Sequence, residues 1–155
     1  MQLAIFDLDN TLIAGDSDYL WGEFLAELGK VDAEAFLREH ERYYADYLAG
    51  RLDIGEFLRF QLAPLARFPM PDLLAWRERF IEEKIRPILL PAAAVLLERH
   101  RRAGHRLLII TATNRFITRP IASLLGVEDL IATEPETSAG RFTGEVAGVP
   151  AYAAG

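Results

Sequence analysis

At 155 residues, with 51% hydrophobic and 26% charged side chains, the chain is long enough for one substantial core and too apolar for a disordered tail. It has no cysteine, which excludes disulfides, thiolate metal sites and sulfur redox chemistry. A net charge of −6, from 17 basic and 23 acidic residues, has the wrong sign for a nucleic-acid or acidic-membrane binder, so an anionic ligand must be held by local features.

Residues 2–6 form a short apolar run, as expected of a strand buried on both faces. Asp7 and Asp9 interrupt it too early for a signal peptide. No stretch approaches the about 18 apolar residues of a membrane span, so the expectation is a soluble, cytoplasmic protein. From 17 to about 86 the pattern predicts four helices. Leu20, Phe24 and Leu28 recur at helical spacing, with Gly29 as a stop. A second helix starts at Asp32 and carries Phe36, Tyr43, Tyr44, Tyr47 and Leu48 to Gly50. The third has Asp53 as N-cap, Glu56 placed as in a capping box, and Ile54, Phe57, Leu58, Leu62 and Leu65 on one face; Pro64 should kink or end it. The fourth follows Pro71 and Asp72, carries Leu73, Leu74, Phe80, Ile81 and Ile85, and stops before Pro87.

Past Pro91, AAAVLLERHRRAG reads as a helix with basic last turns, favourable at the negative end of its dipole, and Gly104 as its cap. HRLLIITAT then predicts a strand over 106–110, residues 114–125 a helix closed by Gly126, and EDLIAT a third strand. Strand, helix and strand at this spacing make a βαβ unit, which calls for a parallel sheet. ETSAGRFTGEVAG places turn residues between two alternating segments and reads as a hairpin. The expected fold is α/β: a sheet core over 1–15 and 87–155, with a helical domain over 16–86 inserted after the first strand.

DLDNTL, residues 7–12, falls directly behind that strand. Ligands of open parallel sheets bind beyond the carboxyl ends of the strands, where Asp7 and Asp9 lie. Phosphoryl transfer needs a nucleophile, a proton carrier and a cation. Two carboxylates at i and i+2 supply the first two, and hard oxygen ligands suit Mg²⁺. Asp-x-Asp-Asn is also good turn chemistry, and by itself such a stretch is more often a solvated loop; its place after a buried strand is what raises it. Thr111 follows LLII at the end of the second predicted strand, where a hydroxyl and an N–H can bind a phosphoryl oxygen beside a helix N-terminus. The other role for a threonine there is a simple N-cap, which Thr113 or Asn114 would serve as well.

Three further groups have two readings each. His40, His100 and His105 show no metal spacing and suit surface or helix-end positions. Tyr43, Tyr44 and Tyr47 either line a cavity under the helical insert or belong to its core, the commoner role of an aromatic stripe. Arg115, and Arg38, Arg42, Arg51 and Arg59 in the insert, either meet a substrate carboxylate or, more commonly, lie on solvated faces.

Together, DLDNTL after an apolar strand, LLIIT after a second one and the helical stretch between them resemble the haloacid dehalogenase-like (HAD) hydrolases. The large helical insert, in the position of a C1-type cap, is most similar to the phosphoserine-phosphatase-like branch, subfamily IB. The resemblance implies a Rossmann-like core and a Mg²⁺-dependent phosphatase acting on a small phosphorylated metabolite such as phosphoserine or histidinol phosphate, with no nucleic-acid or membrane partner. Asp7 matches the nucleophile that forms an aspartyl-phosphate and Asp9 the general acid/base, a residue that dehalogenases lack. The Asp7 carboxylate and the Asp9 carbonyl match the Mg²⁺ ligands, and Thr111 and Asn10 the phosphate-binding positions. Asp16 lies where phosphoserine phosphatases face the substrate amine, and Arg115 is a further candidate for the substrate. The local AGD differs from the charged pair usual in that enzyme, which puts phosphoserine itself in doubt.

Two family motifs have no match. Lys30 and Lys84 both precede Thr111, so neither is the phosphate-neutralising lysine, and no acidic pair follows a fourth strand. Glu128, Asp129, Glu134, Glu136 and Glu145 suit solvated loops instead. The expectation is an N-terminal portion of a longer enzyme, with residues 2–6 left as an apolar sheet edge. The competing expectation is a non-catalytic binding or regulatory module that keeps the fold without the later motifs.

Overall fold

The computed structural model describes residues 2–149; residues 150–155 of the expected core lie outside the described residues. β1 (Leu3–Phe6) runs parallel to β2 (Arg106–Asn114), with Leu3 opposite Arg106 and Phe6 opposite Ile109. β2 runs parallel to β3 (Asp129–Thr133), with Leu108 opposite Asp129, so the sheet order is β1-β2-β3. The β2–β3 crossover carries α6 (Arg115–Leu124), the helix that a parallel pair requires. β4 (Pro135–Ser138) and β5 (Arg141–Val146) form the expected antiparallel hairpin.

Between β1 and β2 come α1 (Ser17–Glu27), α2 (Ala33–Leu48), α3 (Ile54–Arg67), α4 (Met70–Phe80) and α5 (Pro91–Arg102). Asp32 and Asp53 cap α2 and α3, accepting from the backbone N–H groups of Ala35 at 2.8 Å and Glu56 at 3.1 Å. Gly29 and Gly50, at φ 73° and 71°, take the left-handed turn that ends α1 and α2. Four expectations need correction. α3 does not end at Pro64, one of the two outcomes expected there, but continues to Arg67, because Leu62 and Leu65 on either side of the proline are fully buried and anchor the last turn. α4 gives way to a π-helical turn (Ile81–Ile85) and a 3₁₀ turn (Arg86–Ile88): Pro87 has no N–H to extend a regular ladder, and the widened turn keeps both Ile81 and Ile85 in the core.

The other two concern the sheet. β2 extends to Asn114 through a register shift after Ile110, well beyond the expected end. β1 is open on one face, not buried on both. Leu3 and Ile5 are 54% and 56% exposed, while Ala4 and Phe6, pointing the other way, are half-buried, and Phe6 meets the ring of His100 edge-on at 5.4 Å.

One core joins helices to sheet. Trp21 of α1 packs edge-on against Phe80 at 5.3 Å and against Phe116 of α6 at 6.2 Å, and the Arg77 guanidinium lies over the Phe116 ring while donating to its carbonyl at 2.9 Å. β5 lies along α3, where Glu145 pairs with Arg59 at 3.6 Å. Among the described residues no helix is long and apolar enough to cross a membrane.

Candidate active site

The chain leaves β1 at Phe6 and turns at once. Leu8 is fully buried, and its carbonyl accepts from the N–H groups of Thr11 and Leu12 at 3.2 and 2.9 Å. Asn10 adopts φ 59° and its N–H donates to the Gly15 carbonyl at 3.0 Å, closing the loop. Ala14 donates to the Ile88 carbonyl at 2.9 Å and Leu90 to the Leu12 carbonyl at 3.2 Å, so the loop is tied to the strap before α5. Buried Leu8, Leu12 and Ile13 fix this loop, and Asp7 and Asp9, on either side of Leu8, line one cavity with Thr111 and Thr113 of β2.

Asp9 is the more constrained of the two. Its Oδ1 accepts from the Ser17 N–H at 2.8 Å and the Ser17 hydroxyl at 2.6 Å; its Oδ2 accepts from Thr113 Oγ1 at 2.9 Å and Thr111 Oγ1 at 3.3 Å. Asp7 is exposed and, among the described residues, takes only the Thr11 hydroxyl, at 3.3 Å. One carboxylate is thus held by hydroxyls from two elements, and the other has lone pairs free toward the cavity. The N-cap alternative for Thr111 falls away: Asn114 caps α6, accepting from the Ile117 N–H at 3.1 Å, and Thr111 turns its hydroxyl toward Asp9.

A cavity of about 340 Å³ contains Asp7, Asp9, Thr111, Ala112 and Thr113 on the sheet side and Ile54, Phe57, Leu58 and Gln61 of α3 on the other. Asp16 stands at its rim as the N-cap of α1, accepting from Asp18 N–H at 2.9 Å and Tyr19 N–H at 3.2 Å. Burial, and then the nearby charge of Asp9, push the Asp16 carboxyl above its ordinary value. Asp18 is pushed well above, first by burial and then by Asp16; its Oδ2 accepts from the Gln61 amide at 2.5 Å.

Arg115 points elsewhere: its guanidinium pairs with Glu134 at 2.7 Å and donates to the Leu130 carbonyl at 3.0 Å, bracing α6 against β3. Asn10 is exposed and does not line the cavity. Lys84 pairs with Glu27 at 3.0 Å and Lys30 lies over the Trp76 ring. Sequence reasoning missed Ser17 and Gln61 and weighed Thr113 only as a cap. The two-residue step from Thr111 to Thr113 on a strand was a usable sign, since it sets both hydroxyls on one face. So was Gln61, a polar residue on the apolar stripe of α3.

Three carboxylates, Asp7, Asp9 and Asp16, line this cavity, and no Lys or Arg does so among the described residues. A phosphate dianion entering that field needs a cation beside it. No group of three His, Cys, Asp or Glu side chains stands ready to hold one among the described residues, so the donors are few and all are oxygen. That set fits Mg²⁺, which keeps several waters and is held by one or two carboxylates plus substrate phosphate oxygens.

Paired aspartates beyond the first strand of a parallel sheet, with hydroxyls of the second strand donating to one of them, suit a hydrolase that transfers a phosphoryl group, and comparison with known proteins names the family. The haloacid dehalogenase-like hydrolase family model matches residues 4–155, and the chain belongs to that family. It is 44% identical over 155 residues to a protein of Neisseria meningitidis serogroup C (strain 8013) named histidinol-phosphatase, covering 99% of this chain and 70% of that one. A crystal structure of a Bordetella pertussis Tohama I protein of unknown function superposes with a TM-score of 0.89 at 41% identity, over 97% of this chain and 68% of that one. A phosphoserine phosphatase, solved as a phospho-aspartyl intermediate analogue, shares the fold with a TM-score of 0.65 at 18% identity, over 95% of this chain and 63% of that one. The chain spans about half the length of several other curated relatives it matches. It is an enzyme chain of the phosphatase type within this family.

Proposed function

We propose that the protein hydrolyses a small phosphomonoester through an aspartyl-phosphate on Asp7. The observation that carries this is the meeting, in one cavity, of a carboxylate with free lone pairs, a second carboxylate held by four hydrogen bonds, and the Thr111 hydroxyl. The Asp7 carboxylate oxygen attacks phosphorus and the bond to the leaving oxygen breaks; Asp9 delivers a proton to the departing alkoxide. Asp9 then takes a proton from water, the water oxygen attacks phosphorus, and the Asp7–phosphorus bond breaks to release phosphate. The long 3.3 Å contact between Thr111 and Asp9 leaves that hydroxyl free to rotate onto a phosphoryl oxygen.

Mg²⁺, held by the Asp7 carboxylate and the Asp9 carbonyl, would offset the charge of the phosphoryl oxygens. Under this proposal α1–α4, residues 16–86, form a cap whose α3 closes the cavity over a core of residues 1–15 and 87–155. The substrate is a small phosphorylated metabolite, and the relative named histidinol-phosphatase makes an amino-alcohol phosphate the first to try.

The test is steady-state hydrolysis of p-nitrophenyl phosphate and histidinol phosphate by the full-length protein. Turnover should require added Mg²⁺ and stop with a chelator, and Asp7→Asn should lower kcat by at least about a thousandfold. Undiminished turnover by Asp7→Asn would remove Asp7 from the reaction.

A further inference from the structure

Beside the cavity just described lies a second chamber, of about 140 Å³, between α2 and α3. Asp16, Tyr47, Leu52 and Phe57 line both, so the chamber adjoins the larger space, and Asp7 lines only the latter. His40, Tyr43 and Tyr44 complete its wall. Positions 40, 43, 44 and 47 fall on one face of α2 by helical spacing.

Parts of the wall are fixed. Tyr43 is buried, its hydroxyl donates to Glu56 at 3.2 Å, and its ring lies against Phe57 at 5.3 Å. His40 lies 4.6 Å from the Tyr19 ring. Tyr44 and Tyr47 differ: they are 57% and 65% exposed, and neither ring has an aromatic partner among the described residues. Two large π-faces are left open at the entrance of a chamber that already has three aromatic rings in its wall.

The chemistry of that wall selects an occupant. A cavity of this size accommodates one six-membered ring. Tyrosine faces attract a cation or a flat, electron-poor ring, and the Asp16 carboxylate adds a negative charge where the two spaces join. The wall suits a carboxylate poorly: among the described residues no Lys or Arg lines either space, His40 is the one basic side chain of the chamber and already acts on Asp16, and nearby Arg42 is paired with Glu39 and Glu56 at 2.9 and 3.1 Å.

We infer that this chamber holds the leaving-group end of the substrate, and that Tyr44 and Tyr47 select an alcohol bearing a single cationic nitrogen ring or ammonium head and no carboxylate. The inference rests on the proposal that phosphate binds at Asp7, and it sets the substrate apart from phosphoserine, whose carboxylate would come close to that of Asp16 with His40 as the one basic side chain in the chamber wall among the described residues.

Binding of the free alcohols tests the chamber apart from the chemistry. Calorimetric titration of the full-length protein with histidinol and with serine should show histidinol binding at least about tenfold tighter. The Tyr44→Leu/Tyr47→Leu pair should weaken histidinol about tenfold, while Tyr44→Phe/Tyr47→Phe, which keeps the π-faces, should restore it. Both tyrosines are exposed, so the leucine pair opens no core. Serine binding as tightly as histidinol, histidinol binding unchanged in the leucine pair, or no histidinol binding at all would overturn the inference. Histidinol binding through these tyrosines in a protein that hydrolyses no phosphomonoester would uphold the chamber and overturn the role of Asp7.

Discussion

Asp18 is a carboxyl group placed where its charge is costly. Burial raises its proton affinity first and the Asp16 charge adds to that, against the opposing hydrogen bond from Gln61. Asp16 shifts the same way, by burial and the charge of Asp9. For both, the folded protein holds more protons than the unfolded chain at pH values between the ordinary carboxyl value of 3.8 and the raised one, so stability falls as pH rises through that window. Asp18→Asn keeps an acceptor for the Gln61 amide and removes the charge. At about pH 7.5 this variant is expected to melt higher than the parent, by about 2–4 °C for each kcal/mol recovered, and the difference should close as pH falls toward about 4. A variant that melts lower at the higher pH would mean that Gln61 and the α1 N-terminus stabilise the charge by more than burial costs it. The same residues mark what could be read without coordinates. Asp7, Asp9 and Thr111 stood out because a strand end announces itself in sequence. Ser17 did not, since its contact with Asp9 depends on how α1 is oriented over the sheet, and Gln61 showed only as a polar break in the apolar stripe of α3, with nothing to name Asp18 as its partner.

Helices were legible where caps and apolar spacing agreed, as with Asp32 and Asp53, and their ends were misjudged where tertiary contact overrode local preference, as at Pro64 and in the turns before Pro87. Gly22 belongs to the second kind: nothing in α1 marks it as more than a weak helix residue. In the fold a methyl at Gly22 would overlap the Phe36 ring of α2, which is itself stacked on Phe60 of α3 at 6.0 Å. Gly22→Ala gains about 1 kcal/mol of helix propensity, but a methyl forced into a packed contact costs about 1–3 kcal/mol. A net destabilisation of up to about 2 kcal/mol is expected in urea denaturation, with the slope unchanged. A stabilised Gly22→Ala would show that Phe36 yields without loss, and that α1 and α2 are less tightly seated than their contact suggests.

Across the whole molecule, two features act on association in opposite directions. The net charge of −6 keeps copies apart at low salt, while β1 is, among the described residues, an unpaired edge with Leu3 and Ile5 on its open face. Salt at about 0.15 M shortens the reach of the charge to about 8 Å, so the edge should dominate there. Among the described residues the strand order leaves β1 at one side of the sheet; the expected burial of residues 2–6 on both faces is not found, because burial depends on neighbours that local pattern cannot specify. Ile5→Lys places a charge on the open face without disturbing the β1–β2 ladder, which runs through the backbone. In the 155-residue chain at equal concentration and salt, the variant is expected to begin scattering light at a higher temperature, while stability changes by no more than about 0.5 kcal/mol, as for other surface substitutions. An unchanged scattering onset would clear the edge as the seed. Suspicion would then pass to the α2 face that carries Tyr44, Tyr47 and Leu48, the last 67% exposed, where the same lysine scan could be run at Leu48.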